Sequence, residues 1–204
     1  MKKNKLFLLL ILVSLVAITY FSLQESQTGD NYLNEIELYR KEKNLQMLSE
    51  GFPFANNKES FTGLKYYDPD PVFRISASLS PIRNKKVVIL PTNDELESRY
   101  LEYAYADFAI DGIKCRLLIL EVLDQGPAKG TLFLAFADET SARETYGAGR
   151  YVDINKVPGS SSLLIDFNKA YNPYCAYSDS YSCPLPPREN VLNVAIRAGE
   201  KSYK

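Results

Sequence analysis

The chain has 204 residues, of which 46% are apolar and 24% are charged, a composition that fits one globular domain with a full core. Its net charge of −1 provides no basic face, so nucleic acid is not predicted as a partner. The chain contains no histidine, which excludes Ser-His-Asp and Cys-His catalysis and His-ligated zinc sites. No cofactor is predicted, and the composition leaves open whether the protein is an enzyme.

The first predicted element is an uncharged apolar run, Leu6–Leu23, preceded by three lysines. Residues 1–23 fit two alternatives, a cleaved signal peptide or an uncleaved signal anchor that meets the membrane through residues 6–23. The bulky Tyr20 makes a poor cleavage site after Ser22, which favours the anchor. In both cases the residues after about 24 lie on the extracytoplasmic side of the cell envelope.

Residues 24–31 are polar and are predicted to be a linker, and residues 32–204 are predicted to form a single, mostly β domain. The domain begins with an amphipathic helix from Tyr32 to Leu48, because apolar residues recur there at steps of three and four. Asp30 or Asn31 is expected to cap this helix.

The sequence Asp111-Gly112 predicts a β-hairpin with a two-residue turn. This register places apolar residues on one side of the sheet. The expected apolar cross-strand pairs are Ile110 with Ile113, Phe108 with Cys115, Ala106 with Leu117, and Ala104 with Ile119. On the other side of the sheet Asp107 faces Arg116, which forms an opposite-charge pair across the strands.

Several more short strands are predicted from alternating or continuous apolar residues: Val72–Leu79, Lys86–Leu90, Thr131–Ala137, Arg150–Ile154, Ser162–Phe167 and Leu192–Arg197. Many strands at short spacing, separated by turn residues, are typical of a β-sandwich or a partly open barrel. The predicted fold class is therefore mostly β, with one N-terminal amphipathic helix behind the anchor or signal segment.

Aromatic and polar residues are concentrated in particular segments. These are Phe61-Thr-Gly-Leu64, Glu144-Thr-Tyr-Gly-Ala-Gly-Arg-Tyr151, Asp166-Phe-Asn-Lys-Ala-Tyr-Asn-Pro173, Cys183-Pro-Leu-Pro-Pro-Arg-Glu-Asn190 and Ala198-Gly-Glu200. In these segments the chain resembles an uncharacterised bacterial family of domains of unknown function, number 1684, over roughly residues 32–203. The resemblance implies a coherent fold and a shared motif face, and it implies no particular reaction.

Two sets of side chains are candidates for function. A cleft that binds a polar small molecule or an envelope partner is expected from Tyr, Arg and Asn side chains, namely Tyr146, Arg150, Tyr151, Asn168, Tyr171 and Asn172. A carboxylate-dependent, possibly metal-assisted hydrolase is the alternative, and its acids would be Asp138, Asp166, Glu189 and Glu200. A purely structural domain is the third hypothesis, in which the asparagines satisfy loop backbone and the acids pair with basic residues or cap turns.

The three cysteines are predicted to have different roles. Outside the cytoplasm, Cys175 and Cys183 are spaced suitably for a disulfide that staples their loop. Cys115 is expected to be a free thiol in the core. Two cysteines without a third or a histidine do not predict a metal site.

Overall fold

The fold is described from a computed structural model that covers residues 29–124, 126–156 and 159–204. The predicted anchor or signal segment 1–23 lies outside these residues, as does most of the predicted linker. The chain divides into two compact units, one ending at Arg40 and one comprising Lys41–Lys204. All of the strands in the described residues belong to the second unit.

A single α-helix, α1, covers residues 29–47 of the described chain. Asp30 and Asn31 therefore lie within the helix and do not cap it. Turns follow the helix and include Gly51. Its φ of +83° is a left-handed conformation that glycine adopts without steric cost. Among the residues that the structure describes, no helix is both long and apolar enough to cross a membrane.

In the described part of the chain seven strands follow, in the order β1 Arg74–Pro81, β2 Val87–Pro91, β3 Glu97–Ile110, β4 Ile113–Val122, β5 Leu132–Phe136, β6 Arg150–Val152 and β7 Ser162–Asp166. They form one antiparallel sheet in the order β6-β5-β4-β3-β1-β7, and β2 also pairs with β3. This sheet curls into a half-barrel. The mostly β prediction is confirmed, with the partly open barrel as its correct form, and the β-sandwich alternative is wrong because all seven strands belong to one sheet.

The predicted hairpin is confirmed in its register. Ile110 faces Ile113, and all the other predicted pairs are present as far as Ala104 opposite Ile119, where a bulge begins in β3. Asp111 and Gly112 have φ values of +50° and +78°, as a type I′ turn requires. The Arg116 guanidinium donates to the Asp107 carboxylate at 2.6 Å. Local pattern and turn chemistry together therefore determine this element.

The predicted strand Leu192–Arg197 is wrong. Its even-numbered residues, Leu192, Val194 and Ile196, are all buried in the main core, which explains the alternating pattern that predicted it. Beyond the bridge at Val191 the segment pairs with no strand among the described residues. Buried side chains bind the backbone of this segment instead. The Ile196 N–H, for example, donates to the Asp138 carboxylate at 2.6 Å.

Candidate functional site

Arg150, the first residue of β6, is completely buried. Its guanidinium donates to the carbonyls of Ile196 at 2.8 Å and Glu200 at 3.3 Å, and also to that of Ala198. The Asp138 carboxylate lies 3.5 Å away and pairs with its charge, and the Phe136 ring lies beneath it at 5.2 Å. Burial lowers the pKa of Arg150, and the charge of Asp138 opposes that shift. Arg150 thus binds the backbone of residues 196–200, and its side chain is not exposed to a ligand in this structure.

Gly149 allows this arrangement next to Arg150. It has a φ of +87°, and a Cβ at this position would lie 2.5 Å from the Phe136 carbonyl oxygen. The backbone can approach β5 this closely only without a side chain.

Glu200 is buried a short distance from the same arginine. Its carboxylate accepts hydrogen bonds from the Tyr177 hydroxyl, from the Asn172 N–H at 3.2 Å and from the Asn172 side-chain amide at 3.0 Å. Burial raises the pKa of Glu200 to about 7, against the opposing effect of these hydrogen bonds and of Arg150. Glu200 and Asn172 therefore belong to an internal network.

The two remaining candidate acids accept hydrogen bonds from other groups. Asp166 accepts a hydrogen bond from the Asn168 N–H at 3.1 Å and so caps the short 3-10 turn Phe167–Lys169. Glu189 is exposed and accepts a hydrogen bond from the Tyr105 hydroxyl at 3.1 Å. Asp138 and Glu200 thus both lie near Arg150, whereas Asp166 caps a turn and Glu189 binds a tyrosine hydroxyl.

The predicted loop asparagines bind backbone groups. The side chain of Asn168 accepts from the Asp70 N–H at 2.9 Å and donates to the Asp70 carbonyl at 2.7 Å. Within the parts of the chain that the structure describes, no group of three or more Cys, Asp or Glu side chains is arranged to hold a metal ion.

The candidate site is a pocket of about 310 Å³. One wall is the end of the sheet where β3 and β5 begin and β4 ends, and the C-terminal loops form the other wall. The residues that line the pocket are Tyr100, Val122, Ala128, Phe133, Tyr151, Tyr171, Pro173, Tyr174, Ser182, Cys183 and Pro184. Its volume lies at the small end of the range for ligand pockets, roughly 300–1,000 Å³.

Aromatic rings in contact form much of this wall. Tyr100 stacks on Phe133 with centroids 4.9 Å apart, and Phe133 meets Tyr151 edge to face at 4.9 Å. Tyr151 in turn meets Tyr171 at 5.9 Å. The Tyr151 and Tyr171 backbones exchange two hydrogen bonds, of 2.9 and 3.0 Å, so the rings are carried by paired backbone.

The polar groups of the pocket are mostly neutral. The Tyr151 hydroxyl donates to the Pro184 carbonyl at 2.5 Å, which connects the two walls. Burial raises the pKa of Tyr151, and it raises that of Tyr100 to about 12. Two charges contact the Tyr171 side chain: Lys43 lies 4.5 Å above the ring, and Asp153 accepts from the hydroxyl at 2.7 Å. These two charges are 3.9 Å apart and oppose each other.

Sequence reasoning identified part of this pocket. Tyr151 and Tyr171 line it, whereas the other four proposed ligand residues, Tyr146, Arg150, Asn168 and Asn172, are not in its wall. Tyr100, Phe133 and Tyr174 were missed. For Tyr100 and Phe133 the signal in the sequence was weak, because aromatic residues on strands usually indicate core packing.

The predicted disulfide is absent. Cys175 and Cys183 are free thiols in this structure, as is Cys115. The spacing does bring the first two side by side, and the Cys175 N–H donates to the Cys183 sulfur at 3.3 Å. The loop is held without a covalent bond, by hydrogen bonds such as that from the Cys183 N–H to Asn93 at 2.6 Å.

Residues 59–201 match the profile of a family described as protein of unknown function, DUF1684. The chain belongs to this family. A solved relative, the solution NMR structure of an uncharacterised protein from Haloarcula marismortui, is 34% identical. The match covers 86% of this chain and 96% of the relative, with a TM-score of 0.64. No curated protein matches the chain. Family membership thus supports the fold and leaves the function to be argued from the site.

Proposed function

We propose that this family member is a binding domain for a neutral small molecule that carries a flat ring or the apolar face of a sugar. The observation that supports this proposal is the aromatic pocket of about 310 Å³. Aromatic walls recognise ring faces through contact area and the distribution of charge on the π-system. Because the rings rest on paired backbone, the pocket is formed in advance and binding costs little ordering of the protein.

The charge of the pocket favours a neutral ligand. At neutral pH the phenols Tyr100 and Tyr151 are uncharged, as ordinary tyrosines are, and their raised pKa values keep them uncharged at higher pH. Lys43 and Asp153, which contact Tyr171, oppose each other. None of the described residues that line the pocket is a lysine or arginine that could bind a phosphate or carboxylate, whereas phenol hydroxyls and backbone carbonyls can orient the hydroxyl or amide groups of a neutral molecule.

A carboxylate-dependent hydrolase receives less support from the geometry. Two carboxyl groups about 5–10 Å apart, facing across a cleft, are the usual arrangement for that chemistry. None of the four candidate acids lines the aromatic pocket. Asp138 and Glu200 are buried, and their carboxylates bind other groups inside the protein.

The test of the binding proposal is to close the pocket. Ala128 is exposed in the turn at the rim, so Ala128→Phe fills the pocket without disturbing the core. We expect the purified full chain to bind at least one member of a panel of neutral monosaccharides, disaccharides and neutral aromatic compounds, measured by saturation-transfer NMR. Ala128→Phe should weaken that binding by roughly tenfold, about 1.4 kcal/mol.

Ala109→Phe is the matched control, because Ala109 is also exposed and is not part of the pocket wall. This variant should bind as the unmodified chain does. The binding proposal is wrong if the chain binds no compound in the panel, or if both variants bind equally well. A response to sugars alone or to aromatic compounds alone identifies the ligand class.

We further propose that the domain acts on the extracytoplasmic side of a cell envelope, where a small-molecule binding module would meet its ligand. The support is the sequence of residues 1–23, with three lysines before an uncharged apolar run. That pattern is typical of an anchor or a signal peptide.

A further inference from the structure

Strand β2 lies at an edge of the sheet. It pairs with β3 and with no other strand among the described residues. The Glu102 N–H donates to the Lys86 carbonyl at 3.0 Å, so the even-numbered residues here direct their backbone groups toward β3. Because this direction alternates along a strand, the N–H and C=O groups of Val87 and Ile89 point away from the sheet. These groups can therefore pair with a further strand.

The C-terminal region limits the free part of this edge. The Leu185 N–H donates to the Pro91 carbonyl at 2.9 Å, on the side of β2 that faces away from β3. A single bridge between Thr92 and Pro184 continues this contact. Across residues 87–90 the outward backbone groups make no hydrogen bond to any residue that the structure describes. A partner strand thus has a place of defined length beside β2.

The strand itself lacks the features that usually prevent pairing at an edge. Residues 87–90 are all apolar, and the side chains of Val87 and Ile89 are 57% and 53% exposed. Natural edge strands often carry a charge or a proline where another strand could pair. Leu96, in the turn that follows β2, is 59% exposed as well. An exposed, uncharged edge of this kind favours pairing with another chain.

Opposite charges flank the two ends of this edge. They are Arg83, Lys85 and Lys86 before the strand, and Asp94, Glu95 and Glu97 after it. All of these side chains are exposed, and within the described parts of the chain none of them forms an ion pair. A second copy that runs antiparallel brings each basic end beside an acidic end, whereas a parallel copy brings like charges together. The flanking charges therefore favour a second, antiparallel copy of the same edge.

We propose that two copies of this chain associate through β2, which pairs antiparallel with β2 of the second copy about a two-fold axis. With the axis at Val88, Val87 of each copy lies opposite Ile89 of the other, and their outward N–H and C=O groups bond to each other. The contact is small compared with most specific interfaces, so the dissociation constant is expected to be roughly 10 μM. This inference is independent of which ligand the aromatic pocket binds.

A proline substitution tests the role of the outward backbone groups. Ile89→Pro removes an N–H that points away from β3, and edge strands tolerate proline at such positions. Sedimentation equilibrium of the purified full chain in mild detergent, over a concentration series, measures the association. We expect the unmodified chain to dimerise and Ile89→Pro to dimerise about tenfold more weakly or worse. Ile89→Val, which keeps the N–H and most of the side chain, is the matched control and should dimerise like the unmodified chain.

An exchange of charges tests the direction of pairing and does not depend on the folding of Ile89→Pro. Lys85→Glu with Lys86→Glu gives both ends of β2 a net negative charge, and Glu95→Lys with Glu97→Lys gives both ends a net positive charge. Each double variant should stay monomeric by itself, and an equimolar mixture of the two should dimerise. The inference is overturned if the unmodified chain is monomeric throughout, or if Ile89→Pro dimerises as well as Ile89→Val. A mixture that associates no better than either double variant alone also overturns it.

Discussion

At the scale of single residues, the polar side chains that make this sequence distinctive mainly hold the fold. Arg150 and Glu200, both in family segments, are buried with internal partners. Asn168 and Asn190 are fully buried and bind backbone groups. A buried polar group without partners costs free energy, and these segments supply the partners. A dense polar motif can therefore mark irregular backbone that only side chains can satisfy.

Arg150→Lys tests this conclusion directly. Lysine keeps the positive charge for Asp138, but it cannot reach the carbonyls of Ile196 and Ala198 with a two-pronged guanidinium. Two buried acceptors lose their donors, so we expect the free energy of unfolding to fall by about 3 kcal/mol. Urea denaturation followed by circular dichroism measures the change.

The control for Arg150→Lys is Arg116→Lys. Arg116 pairs with Asp107 on the surface, with 61% of its side chain exposed, and exposed ion pairs contribute at most about 1 kcal/mol. Equal losses for the two variants, or an unchanged stability for Arg150→Lys, would contradict the structural role of Arg150.

At the scale of elements, one asparagine takes the place of strand pairing. The β4–β5 ladder pairs Leu120 with Phe133 and Glu121 with Leu132. Further along, the Asn190 side chain accepts from the Leu118 N–H at 2.7 Å and donates to the carbonyls of Leu118 at 2.9 Å and Ala135 at 2.8 Å. Its amide thus connects the two strands where they no longer pair directly.

Asn190→Ala should destabilise the fold strongly. The variant leaves three buried backbone groups on β4 and β5 without partners, so we expect a loss of about 3 kcal/mol or more in the free energy of unfolding. Hydrogen exchange at the Leu118 amide should accelerate together with that loss. Asn57→Ala, at an exposed position, should change stability by less than about 0.5 kcal/mol. A stable Asn190→Ala variant with a protected Leu118 amide would refute this account.

At the scale of the whole molecule, segments that are not β-structure complete the core of the half-barrel sheet. The main core combines residues from six strands with Phe167, Leu192, Val194 and Ile196 from the C-terminal region. The loops of the same region form the second wall of the pocket. Residues 167–198 therefore contribute both to the main core and to the wall of the candidate site.

The proposed location also concerns the whole chain. Residues 1–30 fused to alkaline phosphatase, which is active only outside the cytoplasm, should give activity in a bacterial host. Changing Lys2, Lys3 and Lys5 to Glu should reduce it. A fusion of residues 32–61, which carries the amphipathic helix sequence, serves as the inactive control. Recovery of the native full-length chain in the cytoplasmic soluble fraction would contradict this proposal.

Local chemistry explains which elements could be predicted from the sequence. The hairpin followed from the Asp111-Gly112 turn and a two-residue alternation, both of which act between neighbours in the chain. The positions of five further strands followed from similar patterns. Leu192–Arg197 shows the limit of this reasoning, because alternating burial arises wherever extended chain crosses a core, whether or not the backbone pairs with a strand.

The sequence by itself determined the mostly β class, the hairpin register, the family and the absence of histidine chemistry. Only the tertiary structure decided that the strands form one curled sheet, that Arg150 is paired internally with Asp138, and that Tyr100, Phe133 and Tyr174 meet in a pocket. The physical reason is distance along the chain. Turn type and side-chain alternation are set by residues a few positions apart, whereas burial, ion pairing and pocket walls are set by contacts between segments that folding brings together.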